Sequence, residues 1–183
     1  VPSLEEVRAK TSDVFQRHPC SWQAEAVQQA VKGDNDVVLI APTGSGKTLT
    51  FWMPLLFRED GIQIVVTPLN LLGSQNVSEL KEYGIPACDD IGEGRYRAII
   101  ANPEELMKDG GGFEKLWKKE AFTSRIISIV WDEAHCISTW SSFCTDYKNA
   151  YRIRYLLPKT PFFLASATFN DHVKEDVFKT LHM

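Results

Sequence analysis

Apolar residues along the chain follow two regimes: short blocks with little interruption, and longer stretches in which they recur every three or four positions. The blocks are Val37–Ile40, Ile62–Thr67, Arg97–Ala101, Ile126–Trp131 and Phe162–Ala165, and each predicts a strand. The periodic stretches predict helices. Ser3 to Gln16 carries Leu4, Val7 and Val14-Phe15 on one face, with Ser3 as cap. Ser21 caps a second helix in which Trp22, Ala26, Ala30, Val27 and Val31 recur at helical spacing. Leu49–Phe57 predicts a third helix, kinked or shortened by Pro54. Ser74–Tyr83, closed by Gly84, a short helix opened by Pro103, and Asp171–Leu181 follow. Gly110-Gly111-Gly112 predicts a flexible loop and is the one low-complexity spot.

Strands that are apolar throughout are expected to be buried on both faces, as in a parallel sheet covered by helices on both sides. The fold class is therefore α/β. Ligands of such sheets sit beyond the carboxyl ends of the strands. At 183 residues, without an internal repeat or a long linker, the chain is expected to form one domain. The formal net charge of -4 excludes a polycation, so any contact with nucleic acid must come from local patches. Four scattered cysteines (Cys20, Cys88, Cys136, Cys144) lack a C-x-x-C pair and point to free thiols in a reducing compartment. The first ten residues are charged and unlike a signal peptide, and no apolar run approaches bilayer length. An intracellular protein without a membrane partner is expected, nuclear in a eukaryote and cytoplasmic otherwise.

The first chemistry lies in Ala41-Pro42-Thr43-Gly44-Ser45-Gly46-Lys47-Thr48, between the first strand and the third helix. A Gly-rich turn feeding a helix start presents free backbone N–H groups to a phosphate. Gly44 and Gly46 let the backbone close around the β-phosphate. Lys47 would reach the β and γ oxygens, and the Thr48 hydroxyl would hold Mg²⁺. The first glycine of the usual phosphate-loop pattern is here Ala41. The second lies at the end of an apolar strand, where Asp132 and Glu133 stand side by side. Asp132 would hold Mg²⁺ through water, and Glu133 would orient or deprotonate the attacking water. His135 on its own fits a structural histidine equally well.

Asp132-Glu133-Ala134-His135 resembles the DEAH box of superfamily-two helicases, and the longer run through Cys136-Ile137-Ser138-Thr139-Trp140 resembles the RecQ branch of DNA helicases. The resemblance covers nearly the whole chain but only the first of two RecA-like lobes. It implies a RecA-like P-loop NTPase domain over 1–183, with 1–33 as an N-terminal helical segment that recognises adenine. It implies ATP and Mg²⁺ as cofactors, single-stranded or forked DNA as partner, and 3′-to-5′ unwinding in repair or recombination. Gln23 resembles the glutamine that reads the adenine edge, a bidentate task for an amide; without the other motifs it is a polar residue of an amphipathic helix. Thr67-Pro68-Leu69 and Asn102-Pro103-Glu104 resemble segments that touch the bound strand, although plain helix starts explain them too. Ser166-Ala167-Thr168 resembles the motif that, with His135, links nucleotide state to strand binding. Trp140 and Phe143 resemble the aromatic-rich loop that senses single-stranded DNA, where aromatic faces stack on bases; both rings could instead be core. Tyr147-Lys148 and Tyr151 to Tyr155 interleave aromatics with cations, as a phosphate-binding face or an ordinary amphipathic helix would.

The sequence departs from the family at three places. Cys144 stands where the loop usually carries an arginine, which bears on coupling of DNA binding to hydrolysis. The segment from Gly84 to Arg97 is short. The second lobe, with its arginine finger, and the zinc-binding region are not in this sequence, and His135, Cys136 and Cys144 make a poor zinc set. The lobe alone is expected to hydrolyse ATP weakly or not at all, since such a finger supplies roughly 10³–10⁵ in rate. Two other classes fit the motifs: another superfamily-two motor (an RNA helicase or duplex translocase), and a nucleotide-gated nucleic-acid-binding module without robust ATPase.

Overall fold

The structure, a computed structural model, describes residues 1–68, 70–88, 96–142 and 144–183, with the side chains of 70–74 and 88 left aside. Helices α1 (Leu4–Phe15) and α2 (Ser21–Lys32) precede β1 (Val37–Ile40), α3 (Lys47–Trp52) and β2 (Ile62–Val66). Then come α4 (Asn70–Glu82), β3 (Ala87–Cys88), β4 (Ala98–Ala101), α5 (Pro103–Met107), α6 (Gly112–Trp117) and α7 (Glu120–Thr123). The chain closes with β5 (Ile126–Trp131), α8 (His135–Thr139), α9 (Thr145–Lys148), α10 (Arg152–Leu156), β6 (Phe162–Ser166) and α11 (Asp171–Leu181).

The strands form one six-stranded sheet in the order β1-β6-β5-β2-β4-β3, with every pairing parallel. Alternate residues feed two cores. Phe162, Leu164, Trp131, Ile64 and Ile99 pack with α8 and α11 on one face. Phe163, Ala165, Val130, Val65 and Ile100 pack with α1, α2 and α3 on the other. The apolar blocks thus serve two helical layers at once, as expected of a parallel sheet. β1 departs from that expectation. It has one neighbour, β6, and while Val37 and Leu39 pack inward, Val38 and Ile40 are 37% and 52% exposed.

Local chemistry explains the element ends. Ser3 accepts from the Glu6 N–H and the Glu6 carboxylate accepts from the Ser3 N–H, a reciprocal cap on α1. At α2 the cap is Cys20, not Ser21; Ser21 is the first helical residue and its hydroxyl accepts from Arg8 at 2.7 Å. Pro54 lacks the N–H an α-turn needs there, so α3 ends at Trp52 and tightens into a 3-10 turn over Met53–Leu56. Helix α4 begins at Asn70, four residues before its expected start. Gly112 opens α6 rather than lying in a loop. The short segment between Gly84 and Arg97 falls largely outside the described residues.

Candidate active site

Strand register sets the site. Ile40 is level with Ser166, Trp131 with Leu164 and Val66, and Val66 with Ala101. Beyond these ends the chains stay tied: the Ala41 N–H donates to Ser166 O, Ala134 N–H to Ala165 O, Asp132 N–H to Val66 O and Thr67 N–H to Ala101 O. The order along the carboxyl edge is therefore the Gly-rich loop, Ser166, Asp132-Glu133, Thr67-Pro68 and Asn102. One side of the edge carries the Gly-rich loop, Ser166 and the carboxylate pair, and the other the two strand-end segments.

In the loop, Gly44 and Gly46 adopt φ of +78° and +84°, which L side chains rarely tolerate. A Cβ on Gly46 would lie 2.7 Å from the Gln23 amide nitrogen. Lys47 is 8% exposed, and its ammonium donates to Ala41 O at 2.8 Å and Pro42 O at 3.0 Å, so it lies along the inside of the loop. Thr43, Gly44 and Thr48 are exposed, and the partly exposed Ser45 keeps its hydroxyl oxygen buried without a hydrogen-bond partner among the described residues. Gln23, 5% exposed, reaches the same loop: its amide donates to Gly46 O at 3.0 Å, and its oxygen accepts from the Cys20 N–H at 2.9 Å and the thiol at 3.1 Å. This Cys20–Gln23–Gly46 link has no sequence signature beyond the position of Gln23.

Strand β5 delivers the carboxylates. Burial, and then the neighbouring Glu133 charge, push the Asp132 carboxyl up to about 6, against the opposing pull of the Glu133 N–H and Lys47. Glu133 sits at φ +48°, left-handed backbone that is costly for a residue with a Cβ. Its carboxylate is 3.4 Å from His135 Nδ1, and that nitrogen is 3.0 Å from Ser166 Oγ. Ser166 is 1% exposed; its hydroxyl also accepts from the Thr168 N–H and contacts Thr168 O, each at 3.2 Å. His135, Ser166 and Thr168 are thus joined to Glu133, and Ala167 lies between the last two.

On the other side, Pro68 and Asn102 stand at adjacent strand ends, and the Asn102 oxygen accepts from the Glu105 N–H at 2.7 Å as the cap of α5. The side-chain oxygen of Thr67, 2% exposed, is buried without a hydrogen-bond partner among the described residues. Trp140 caps α8 at its carboxyl end and is half-buried, its ring edge-on to Tyr147 at 6.2 Å. Phe143 lies outside the described residues. Tyr147 belongs to the core beside the site, although its place among alternating aromatics and cations pointed equally to a surface face.

The donor set fits Mg²⁺ with a nucleoside triphosphate. Two adjacent carboxylates, one already resisting ionisation, are relieved by a cation, and an ammonium held by the loop carbonyls of Ala41 and Pro42 can turn to phosphate oxygens. Among the described residues no three His, Cys, Asp or Glu side chains form a metal cluster, and no helix is long and apolar enough to cross a membrane.

A parallel α/β sheet that carries a Gly-rich loop after β1 and a paired carboxylate after β5, with β6 between them, has the architecture of a RecA-like helicase lobe. The family model for the DEAD/DEAH box helicases matches residues 20–177, and the chain belongs to that family. It is 31% identical to the ATP-dependent DNA helicase hus2/rqh1 of Schizosaccharomyces pombe, over 88% of this chain and 14% of that protein. It is 30% identical to the ATP-dependent DNA helicase RecQ of Bacillus subtilis, over 89% of this chain and 29% of that protein. The chain thus spans less than a third of the length of these relatives. Among solved structures, the DUF1998 helicase MrfA bound to DNA superposes with a TM-score of 0.72 at 21% identity, covering 100% of this chain and 29% of that one. The S. cerevisiae dbp5 chain superposes with a TM-score of 0.67 at 20% identity, over 96% of this chain and 49% of that one. Both likenesses concern the fold.

Proposed function

We propose that this chain is the ATP-binding lobe of a RecQ-like, ATP-dependent DNA helicase that acts on single-stranded or forked DNA. The observation that carries this reading is the edge order: phosphate loop, Ser166, Asp132-Glu133, Thr67-Pro68 and Asn102 follow one another on adjacent strands. A change at the nucleotide can therefore reach the strand-binding side through directly bonded backbone.

ATP with Mg²⁺ supplies the phosphoryl group and the charge neutralisation its transfer needs. The chain's own residues do the rest. Lys47 exchanges the Ala41 and Pro42 carbonyls for phosphate oxygens. Thr43, Gly44, Ser45 and Gly46 offer backbone N–H groups, and the buried Ser45 hydroxyl gains a partner. Thr48 and Asp132 hold the metal. Glu133 orients the attacking water and takes its proton, with His135 fixing its carboxylate. Gln23, held by Cys20 and Gly46, positions the loop and presents its amide to the adenine edge, with the helical segment 1–33 forming that end of the site. His135, Ser166, Ala167 and Thr168 pass the nucleotide state onward. Pro68, Asn102, Trp140 and Phe143 contact DNA, the aromatic faces by stacking.

The relatives' length supports a second RecA-like lobe in the parent protein that completes hydrolysis with an arginine. ATP turnover by the two-lobed parent protein, with and without single-stranded DNA and RNA, beside Lys47→Ala, tests the reading. Strong stimulation by DNA that vanishes in Lys47→Ala is the expected result. Stimulation by RNA alone would transfer the chain to an RNA motor, and intact ATP binding without turnover would make it a nucleotide-gated binder.

A further inference from the structure

His135 carries two ring nitrogens, and the groups around them decide which one holds the proton. Nδ1 faces Ser166 Oγ at 3.0 Å and the Glu133 carboxylate at 3.4 Å. The Ser166 hydroxyl has one hydrogen, and the Thr168 carbonyl, 3.2 Å away, bonds to it by accepting that hydrogen. The same oxygen accepts from the Thr168 N–H at 3.2 Å, so toward His135 it offers a lone pair. The Glu133 carboxylate offers lone pairs as well. Nδ1 therefore stands between two acceptors and must donate to hold them.

In a neutral imidazole the other nitrogen is then an acceptor and needs a donor of its own. Nε2 lies 3.7 Å from the Cys136 sulfur, within reach of an S–H group. Cys136 is 4% exposed, and burial, followed by the charges of Glu133 and Asp132, pushes its thiol up to about 11. The thiol thus keeps the hydrogen it has to give. Its backbone fixes the approach: the Cys136 N–H donates to Glu133 O at 2.8 Å, a turn that holds Glu133, His135 and the thiol together. Alanine or valine could serve packing at this position, but neither has a hydrogen to give Nε2.

We infer that Cys136 is a positioning residue for ATP hydrolysis: its S–H donates to His135 Nε2 and holds the ring as the neutral Nδ1–H tautomer, which keeps the Glu133 carboxylate in place. With the proton on Nε2, the Nδ1 lone pair would face the carboxylate and the Ser166 oxygen and repel both. The inference rests on the proposed function, in which Glu133 takes the proton of the attacking water. It adds which proton His135 carries and what keeps it there.

Cys136→Ser and Cys136→Ala in the two-lobed parent protein test it, beside wild type. Each is labelled with ¹⁵N at histidine, and His135→Asn assigns the His135 signals by difference. Spectra at neutral pH are read together with KM for ATP and kcat at saturating DNA. Wild type is expected to show a protonated Nδ1 and an unprotonated Nε2. Cys136→Ser keeps a donor at Nε2 and should keep that spectrum and most of the turnover. Cys136→Ala should mix the two tautomers and lose roughly three- to tenfold in kcat, the worth of one hydrogen bond, with KM for ATP unchanged. Packing alone predicts the reverse order, because a hydroxyl buried in place of the thiol costs more than a methyl group. Turnover lower in Cys136→Ser than in Cys136→Ala, a protonated Nε2 in wild type, or a spectrum unchanged in Cys136→Ala would each overturn the inference and leave the proposed function standing. Wild type that shows the Nδ1–H tautomer but turns over no ATP would overturn the proposed function, and the role of Cys136 in hydrolysis with it.

Discussion

Nδ1 of His135 lies 3.0 Å from Ser166 Oγ and 3.4 Å from the Glu133 carboxylate, so one ring nitrogen faces both that carboxylate and the strand β6 hydroxyl. A single N–H cannot serve both partners at full strength, and a movement of either changes the other's bond. His135→Ala and Ser166→Ala should each lower DNA-stimulated ATP turnover about tenfold, the middle of the range for site-to-site coupling. Because they act through one nitrogen, the double variant should lose little more than either single. Additive losses in the double-mutant cycle would show that the two residues work independently.

Asp132 makes stability depend on pH with a sign opposite to that of most carboxylates. Its pKa of about 6 exceeds the ordinary 3.8, because burial and then Glu133 favour the neutral form. The folded lobe therefore binds a proton that the unfolded chain has released, and stability falls as pH rises from about 4 through about 6. Asp132→Asn, which keeps an oxygen for the Glu133 N–H, should stabilise the metal-free lobe at pH 7 by about 1–3 kcal/mol and have no effect near pH 4. Urea denaturation at several pH values reads the difference. Equal stability of the two proteins at pH 7 would refute the burial cost.

How much of this was legible beforehand depends on whether an interaction is local. Strands β5 and β6 were readable because Ile126–Trp131 and Phe162–Ala165 are apolar on both faces, and the sheet buries both. The places of the loop and the carboxylate pair at strand ends were readable because each directly follows its strand in sequence. The exposure of Val38 and Ile40 was not, since β1 has the same composition as an inner strand and only the strand order makes it an edge. The cap at Cys20 was hidden because the Gln23 side chain, rather than a cap hydroxyl, satisfies the first turn. Tyr147 was ambiguous because burial there depends on α9 folding back over α8, which no periodicity records.

The contact between Gly46 and Gln23 predicts a compensating pair. Gly46→Ala places a Cβ at φ +84° and 2.7 Å from the Gln23 amide nitrogen, so it strains the loop and breaks the amide's bond to Gly46 O. At Gly44, with φ +78°, nothing among the described residues lies within 4 Å of the added Cβ, and the backbone cost remains. Gly46→Ala should therefore weaken ATP binding more than Gly44→Ala, by about 1 kcal/mol, the net worth of one hydrogen bond. Adding Gln23→Ala to Gly46→Ala should cost less than Gln23→Ala costs alone, because the clash partner has gone. Calorimetric ATP binding measures both comparisons, and strict additivity would refute the contact.

At the opposite end of the sheet, Asp36 joins the two strands that carry the loop and Ser166. One carboxylate oxygen accepts from the Phe162 N–H at 2.7 Å, and the other meets Arg154 at 2.7 Å. The Arg154 guanidinium lies 3.8 Å from the centroid of the Phe162 ring and also donates to Thr160 O. With side chains 26% and 18% exposed, neither partner can fall back fully on water. Asp36→Ala leaves a backbone N–H and a cation without their acceptor and should cost about 2–4 kcal/mol. Asp36→Asn retains one acceptor and should cost about half as much. Both should lower the thermal midpoint while leaving ATP affinity intact below it, because the pair sits at the amino ends of β1 and β6, far from the loop. A midpoint unchanged in Asp36→Ala would mean that the β1–β6 ladder alone holds this edge.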